Sequence, residues 1–169
     1  MGRLADIEVS TDGTPPASGG DAARVLTIDL EELTWALNSR DPLGESSQWL
    51  NLESGTILFL IGLDAVDEAD EDPRDDDRWL FIEPIESSEA FRIMEDFVDQ
   101  CADGHVSHAL SQALLQRKLF RRFKDMLAAH PAQREAWFAF EHRAMEAIAR
   151  RWCENHGVSP RWAARPNRP

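Results

Sequence analysis

Five cations, Arg117, Lys118, Arg121, Arg122 and Lys124, fall within eight consecutive residues. That density suits an anionic partner, whether phosphate, nucleic acid or an acidic protein surface, because guanidinium and ammonium groups make charge-assisted hydrogen bonds to such oxygens. Charge of the opposite sign stands at 64–77, where nine Asp/Glu, including Asp75, Asp76 and Asp77, accompany a single arginine. A run of this kind repels itself and stays solvated. An exposed acidic loop is therefore expected there, serving solubility, docking a basic protein or mimicking nucleic acid, or covering the basic segment of the same molecule.

Other residue types with chemistry have plainer accounts. Cys101, His105 and His108 would share one helical face and are soft-metal ligand types, but no further ligand stands nearby at structural-zinc spacing, and exposed polar histidines in a first helical turn explain them. For nucleophilic catalysis the sequence offers no obvious Cys–His pairing beyond Cys153 near His156 on one helix. Glu83, beside Pro84, is the one acid flanked by enough apolar residues to be weighed as a catalytic carboxylate, although an outward strand residue is the simpler reading. There is no GxSxG elbow, P-loop or GxGxxG, and no cofactor is implied. The two cysteines read as reduced, half-buried thiols, too sparse for a disulfide framework.

The elements that must position these groups follow from hydrophobic period. Val25 to Ser39 reads as a short element leading into a helix, with Asp29 three residues before Glu32 in a capping-box-like arrangement and Leu30, Leu33 and Leu37 on one face. Trp49–Leu52 and Thr56–Ile61 flank Glu53-Ser54-Gly55 and predict a hairpin with Gly55 left-handed. Trp79–Ile82 makes a third strand, ended by Pro84. From Ser87, capped by Ser87 or Ser88, the period moves to 3.6 and places Phe91, Met94, Phe97 and Val98 on one stripe. Asp103 caps a helix over Gly104–Gln116, with Val106, Leu110, Ala113 and Leu114 inward. The next runs from Leu119 to Ala129, where Phe120 and Phe123 bury together with Met126 and Leu127 while the cations point outward. Pro131 opens the longest helix, which reaches about His156 before Gly157 and Pro160 stop it. Trp137, Phe140, Ala144, Ile148 and Trp152 line its buried side. Trp35, Trp49 and Trp79 also fall on apolar faces and are read as core, with the alternative that one or two of the tryptophans form the floor of a binding groove.

The fold expected is α+β: a small three-stranded antiparallel sheet with an N-terminal helix, packed against a C-terminal bundle of three or four helices. The chain of 169 residues is long enough for one domain with a real core. That domain is expected over 24–158, behind a disordered tail at 1–23 rich in Gly, Pro and Ser and ahead of a frayed tail at 159–169. Net charge is divided unevenly, with 25 acids and 6 bases in residues 1–100 (−19) against 6 and 12 in 101–169 (+6), which sum to −13. No segment approaches the roughly 20 apolar residues that span a bilayer, and no secretory leader is visible, so a cytoplasmic protein is expected with no membrane partner.

Three segments, Ile93-Met94-Glu95-Asp96-Phe97-Val98, Phe120-Arg121-Arg122-Phe123-Lys124-Asp125 and Trp137-Phe138-Ala139-Phe140, resemble bacterial proteins catalogued as uncharacterised protein family 0158. The likeness runs from about Val25 to Gly157 and includes the Trp-Leu-Asn-Leu-Glu-Ser-Gly hairpin and the Trp79 strand. It implies a bacterial origin and supports the domain limits. It carries no activity and no catalytic residue.

For function, the sequence favours a non-enzymatic bacterial interaction or regulatory protein that binds a protein partner through its basic helix, its acidic surface, or both. One alternative is an enzyme with an unrecognised site between sheet and helices. Another is a nucleic-acid binder using 117–124, disfavoured because the net charge of −13 repels a polyphosphate at long range.

Overall fold

A computed structural model describes residues 23–39, 41, 45–62 and 72–164. Apart from Ala23, the tail expected at 1–23 lies outside the described residues, as do 64–71 of the acidic stretch and residues 165–169.

The described chain opens with strand β1 (Arg24–Ile28), whose alternation sends Leu26 and Ile28 inward. Asp29 turns it into helix α1 (Leu30–Asn38). Its Oδ1 accepts the amides of Glu31 and Glu32 at 2.8 and 3.1 Å, satisfying two donors that a helix start leaves open. Strands β2 (Ser46–Asn51) and β3 (Ile57–Ile61) form the expected hairpin. Asn51 Oδ1 accepts the amides of Glu53 and Ser54, and Gly55 takes φ +78°. Strand β4 (Trp79–Phe81) joins the other side of β2, giving a three-stranded antiparallel sheet in the order β3-β2-β4.

Four helices follow: α2 (Ser87–Gln100), α3 (Gly104–Leu114), α4 (Leu119–Ala128) and α5 (Pro131–Asn155). Asp103 caps α3 as expected, accepting from the amides of His105 and Val106. Their shared core is aromatic. Phe97 of α2, Phe123 of α4, and Trp137 and Phe140 of α5 pack edge-on and tilted, with Trp137 4.9 Å from Phe123 and 5.2 Å from Phe97 between ring centroids. Edge-to-face contacts of this kind are worth about 0.5–1.5 kcal/mol each beyond the area they bury. All three segments that carry the family likeness thus meet in one packing cluster.

The structure corrects several expectations. The chain from 159 is not frayed as far as it is described: β5 (Val158–Trp162) pairs in parallel with β1, so a second, two-stranded sheet ties the two ends of the fold together. Arg24 N–H donates to Gly157 O and Ala163 N–H to Ile28 O, both at 2.9 Å, closing the ladder at each end. Pro160 tolerates this position because a two-stranded sheet has an outer edge that asks for no donor. The domain therefore continues past 158. Helix α2 is capped by Glu86 rather than Ser87 or Ser88, with Ser88 Oγ donating to the Glu86 carboxylate at 3.1 Å. Ile93 rather than Phe91 completes its buried stripe. Trp35 is 57% exposed and Phe120 37%, so neither is core.

Candidate functional site

The basic segment is built by a change of direction. Lys118 adopts φ +61° between α3 and α4, which starts α4 with its inner face set by Phe123 and Leu127. Arg117, Lys118, Arg121, Arg122 and Lys124 are all exposed around that start. Arg122 Nε donates to the Arg117 carbonyl at 3.3 Å, and Arg121 lies 3.8 Å from Asp125 in an exposed pair of little energetic weight. Placing cations over a helix N-terminus opposes the macrodipole, which favours anions there by about 0.3–1 kcal/mol each. The helix end and its side chains therefore add to one concentrated positive potential. Lys124 differs from the rest, because it faces Glu141 of α5. Burial raises the Glu141 pKa above the ordinary 4.5, while Lys124 and a hydrogen bond from Trp137 pull it back.

The described acids follow a different rule. Asp72 accepts from both the amide and Nε of Arg74, and Asp76 does the same for Arg78, with the ion pairs at 2.8 and 2.7 Å. The Arg74 hydrogen bond lowers the Asp72 pKa. Each Asp-x-Arg unit is thus a turn braced by its own side chains. Asp75 and Asp77 are exposed between and beside them, and Asp76 is half-buried. Among the described residues, the ion pairs Arg74–Asp72, Arg78–Asp76 and Arg121–Asp125 each lie within their own segment.

Two further places bring together residues, Glu83 and tryptophans among them, that sequence reasoning weighed only singly. One is a groove of about 380 Å³ between the segment 83–89 and the end of α5, lined by Glu83, Glu86, Glu89, Arg151, Trp152 and His156. Arg151 is ion-paired with Glu89 across it, and the His156 ring lies 4.5 Å from that of Trp152, with Nδ1 2.7 Å from the Trp152 carbonyl. The second is an apolar patch where Trp35 of α1 meets Phe59 of β3 edge-on at 4.8 Å. Its signal was present in the sequence: Trp35 sits two residues from Leu33 and four from Glu31, off the Leu30/Leu33/Leu37 stripe.

The thiols and histidines behave ordinarily. Cys153 is fully buried, and burial beside Glu154 pushes its pKa up to about 11, so it holds its proton at neutral pH. Cys101 is half-buried and donates to the Asp103 carbonyl, while His105 and His108 are exposed. Among the described residues no group of three His, Cys, Asp or Glu could hold a metal ion, and no helix is long and apolar enough to cross a membrane.

Comparison with known proteins gives a name without a chemistry. The model of the uncharacterised protein family UPF0158 matches residues 23–164. The UPF0158 protein PA5073 of Pseudomonas aeruginosa is 30% identical over 143 residues, covering 81% of this chain and 88% of its own. No solved structure gives a significant match.

Proposed function

Because the chain belongs to the uncharacterised protein family UPF0158, whose description assigns no activity, we propose its function from its surfaces: a cytoplasmic interaction or regulatory protein that binds an acidic region of another protein through the start of α4. The observation that supports this reading is the division of α4, where Phe123 and Leu127 are buried and five cations gather at the exposed N-terminal end. Arg121 and Arg122 stand at the start of α4, where their charge opposes the helix dipole and costs the helix stability. A binding role accounts for them.

An acidic protein surface is favoured over nucleic acid because binding to a polyphosphate must overcome the long-range repulsion from a net charge of −13. A protein partner can instead match the local field alone. Arg121→Glu/Arg122→Glu tests this, leaving Lys124 in place because it also serves Glu141. In low-salt capture from the native host, the unaltered protein should retain a partner that survives nuclease treatment, and the variant should lose it with an unchanged Tm. Equal retention by the variant, or release of the bound material by nuclease, would overturn the reading.

A further inference from the structure

The edge of β3 has its own recognition chemistry. Among the described residues, β3 pairs with β2 alone. Asn51 N–H donates to Thr56 O and Gly62 N–H to Glu45 O, which fixes the phase of the ladder: Thr56, Leu58, Leu60 and Gly62 turn their backbone groups toward β2. Ile57, Phe59 and Ile61 therefore turn theirs outward. The same three side chains share the sheet face of Leu50, Gln48 and Ser46, their direct partners, and this is the face on which Trp35 of α1 meets Phe59. Ile61 is 78% exposed and Phe59 36%. Natural edge strands are usually blunted by charge, proline or a bulge, whereas this one reads Ile-Leu-Phe-Leu-Ile.

We propose that the free edge of β3 takes an extended, basic segment of a protein partner by strand addition. Its Lys or Arg side chains would lie across Trp35 and Phe59 toward Glu31 and Glu32. The charge of the rim selects the occupant. An opening of about 390 Å³ beside the edge is lined by Glu31, Glu32, Trp35 and Phe59, so an apolar floor ends at two carboxylates. The long aliphatic stems of Lys and Arg cover such a floor while their charges reach its acidic rim. Alternate residues of the added strand would face Leu58 and Leu60, where apolar side chains extend the sheet surface that carries Trp49 and Phe81, 5.2 Å apart.

Occupants from the same chain fit less well. Residues 1–22 hold four acids to one base, and 63–71 hold five acids and no base, so both meet Glu31 and Glu32 with like charge. Residues 165–169 are basic, but two of the five are proline and cannot donate to a ladder. A second copy pairing β3 with β3 would bring two such acidic rims together on molecules each carrying −13.

This surface is separate from the start of α4, and its test distinguishes the two. The probe is a labelled, capped seven-residue peptide alternating Lys and Val, followed by fluorescence anisotropy. The full-length protein should bind it, bind an alternating Glu/Val peptide not at all, and lose affinity as salt rises. Glu32→Lys and Ile61→Pro, the latter removing an outward donor while sparing the β2 ladder, should each weaken binding by roughly tenfold, the scale of one lost charge-assisted or backbone contact. Arg121→Glu/Arg122→Glu should leave it unchanged. The proposal falls if the Lys/Val peptide does not bind, if both edge variants bind it as the native chain does, if the native protein dimerises through this edge in sedimentation, or if deleting 1–22 unmasks binding absent from the full chain.

Discussion

Gly55 has φ +78°, and a Cβ there would run into the Thr27 carbonyl oxygen of β1. Gly62 has a similar φ of +84° but opens onto free space. Replacing either by alanine imposes the left-handed penalty, about 1 kcal/mol. Only Gly55→Ala must also separate the hairpin from β1, so it should cost more than about 2 kcal/mol in urea unfolding, with Gly62→Ala as its control. Cys153 supplies a reactivity prediction at the same scale. With its pKa near 11 and its side chain buried, it should react with a thiol reagent at pH 8 only in denaturant, while half-buried Cys101 reacts in the native state. One fast and one unfolding-limited thiol is the expected titration, and two fast thiols would show that α5 opens locally.

At the scale of elements, β5 is the strongest test of what holds the fold together. It pairs across almost the whole chain with β1, whose Leu26 and Ile28 are buried, and it packs against α5. Ending the chain after Gly157 would uncover them and remove fully buried Val158. A loss of about 3 kcal/mol or more is expected, comparable to a large core truncation, and a native-like Tm for the shortened chain would mean that β5 is an ornament. Helices α1 to α5 were legible because their signals are local: Asp29 and Asp103 cap, Pro131 opens, and apolar residues repeat along one stripe. The hairpin was legible for the same reason, through Gly55. Strand β5 was not, although Val158, Pro160 and Trp162 alternate. Its partner lies far away in sequence, and Pro160 suggested a stop. The candidate surfaces divide similarly. The exposure of the Arg117–Lys124 cations could be read from spacing, whereas the open edge of β3 depends on which strand pairs with which, and local pattern does not contain that.

For the whole molecule, pH brings the charge division and the buried groups into one account. A net charge of −13 at pH 7 and a pI near 4.7 mean that self-repulsion opposes the compact state at neutral pH and fades as the pH falls. Glu141 acts in the same direction. Its folded pKa is raised above 4.5 by burial, so the folded state binds more protons than the unfolded one between those two values. The stability it contributes is complete below about 4.5 and is lost as pH rises through the folded pKa. Asp72 acts oppositely: Arg74 lowers its pKa below 3.8, so its contribution is present above that value and is lost as pH falls below it. The stability maximum should therefore lie on the acidic side of neutrality, above the Asp72 window. Urea midpoints measured in dilute protein from pH 4 to 8 should rise from pH 8 toward pH 5, with moderate salt flattening the part due to repulsion. Glu141→Gln should raise the midpoint at pH 7 and lose that advantage as the pH approaches 4.5, since glutamine can still accept from Trp137 but has no proton to gain. A native midpoint that peaks above pH 7, or a Gln variant whose advantage does not change with pH, would place the dominant linkage elsewhere in the molecule.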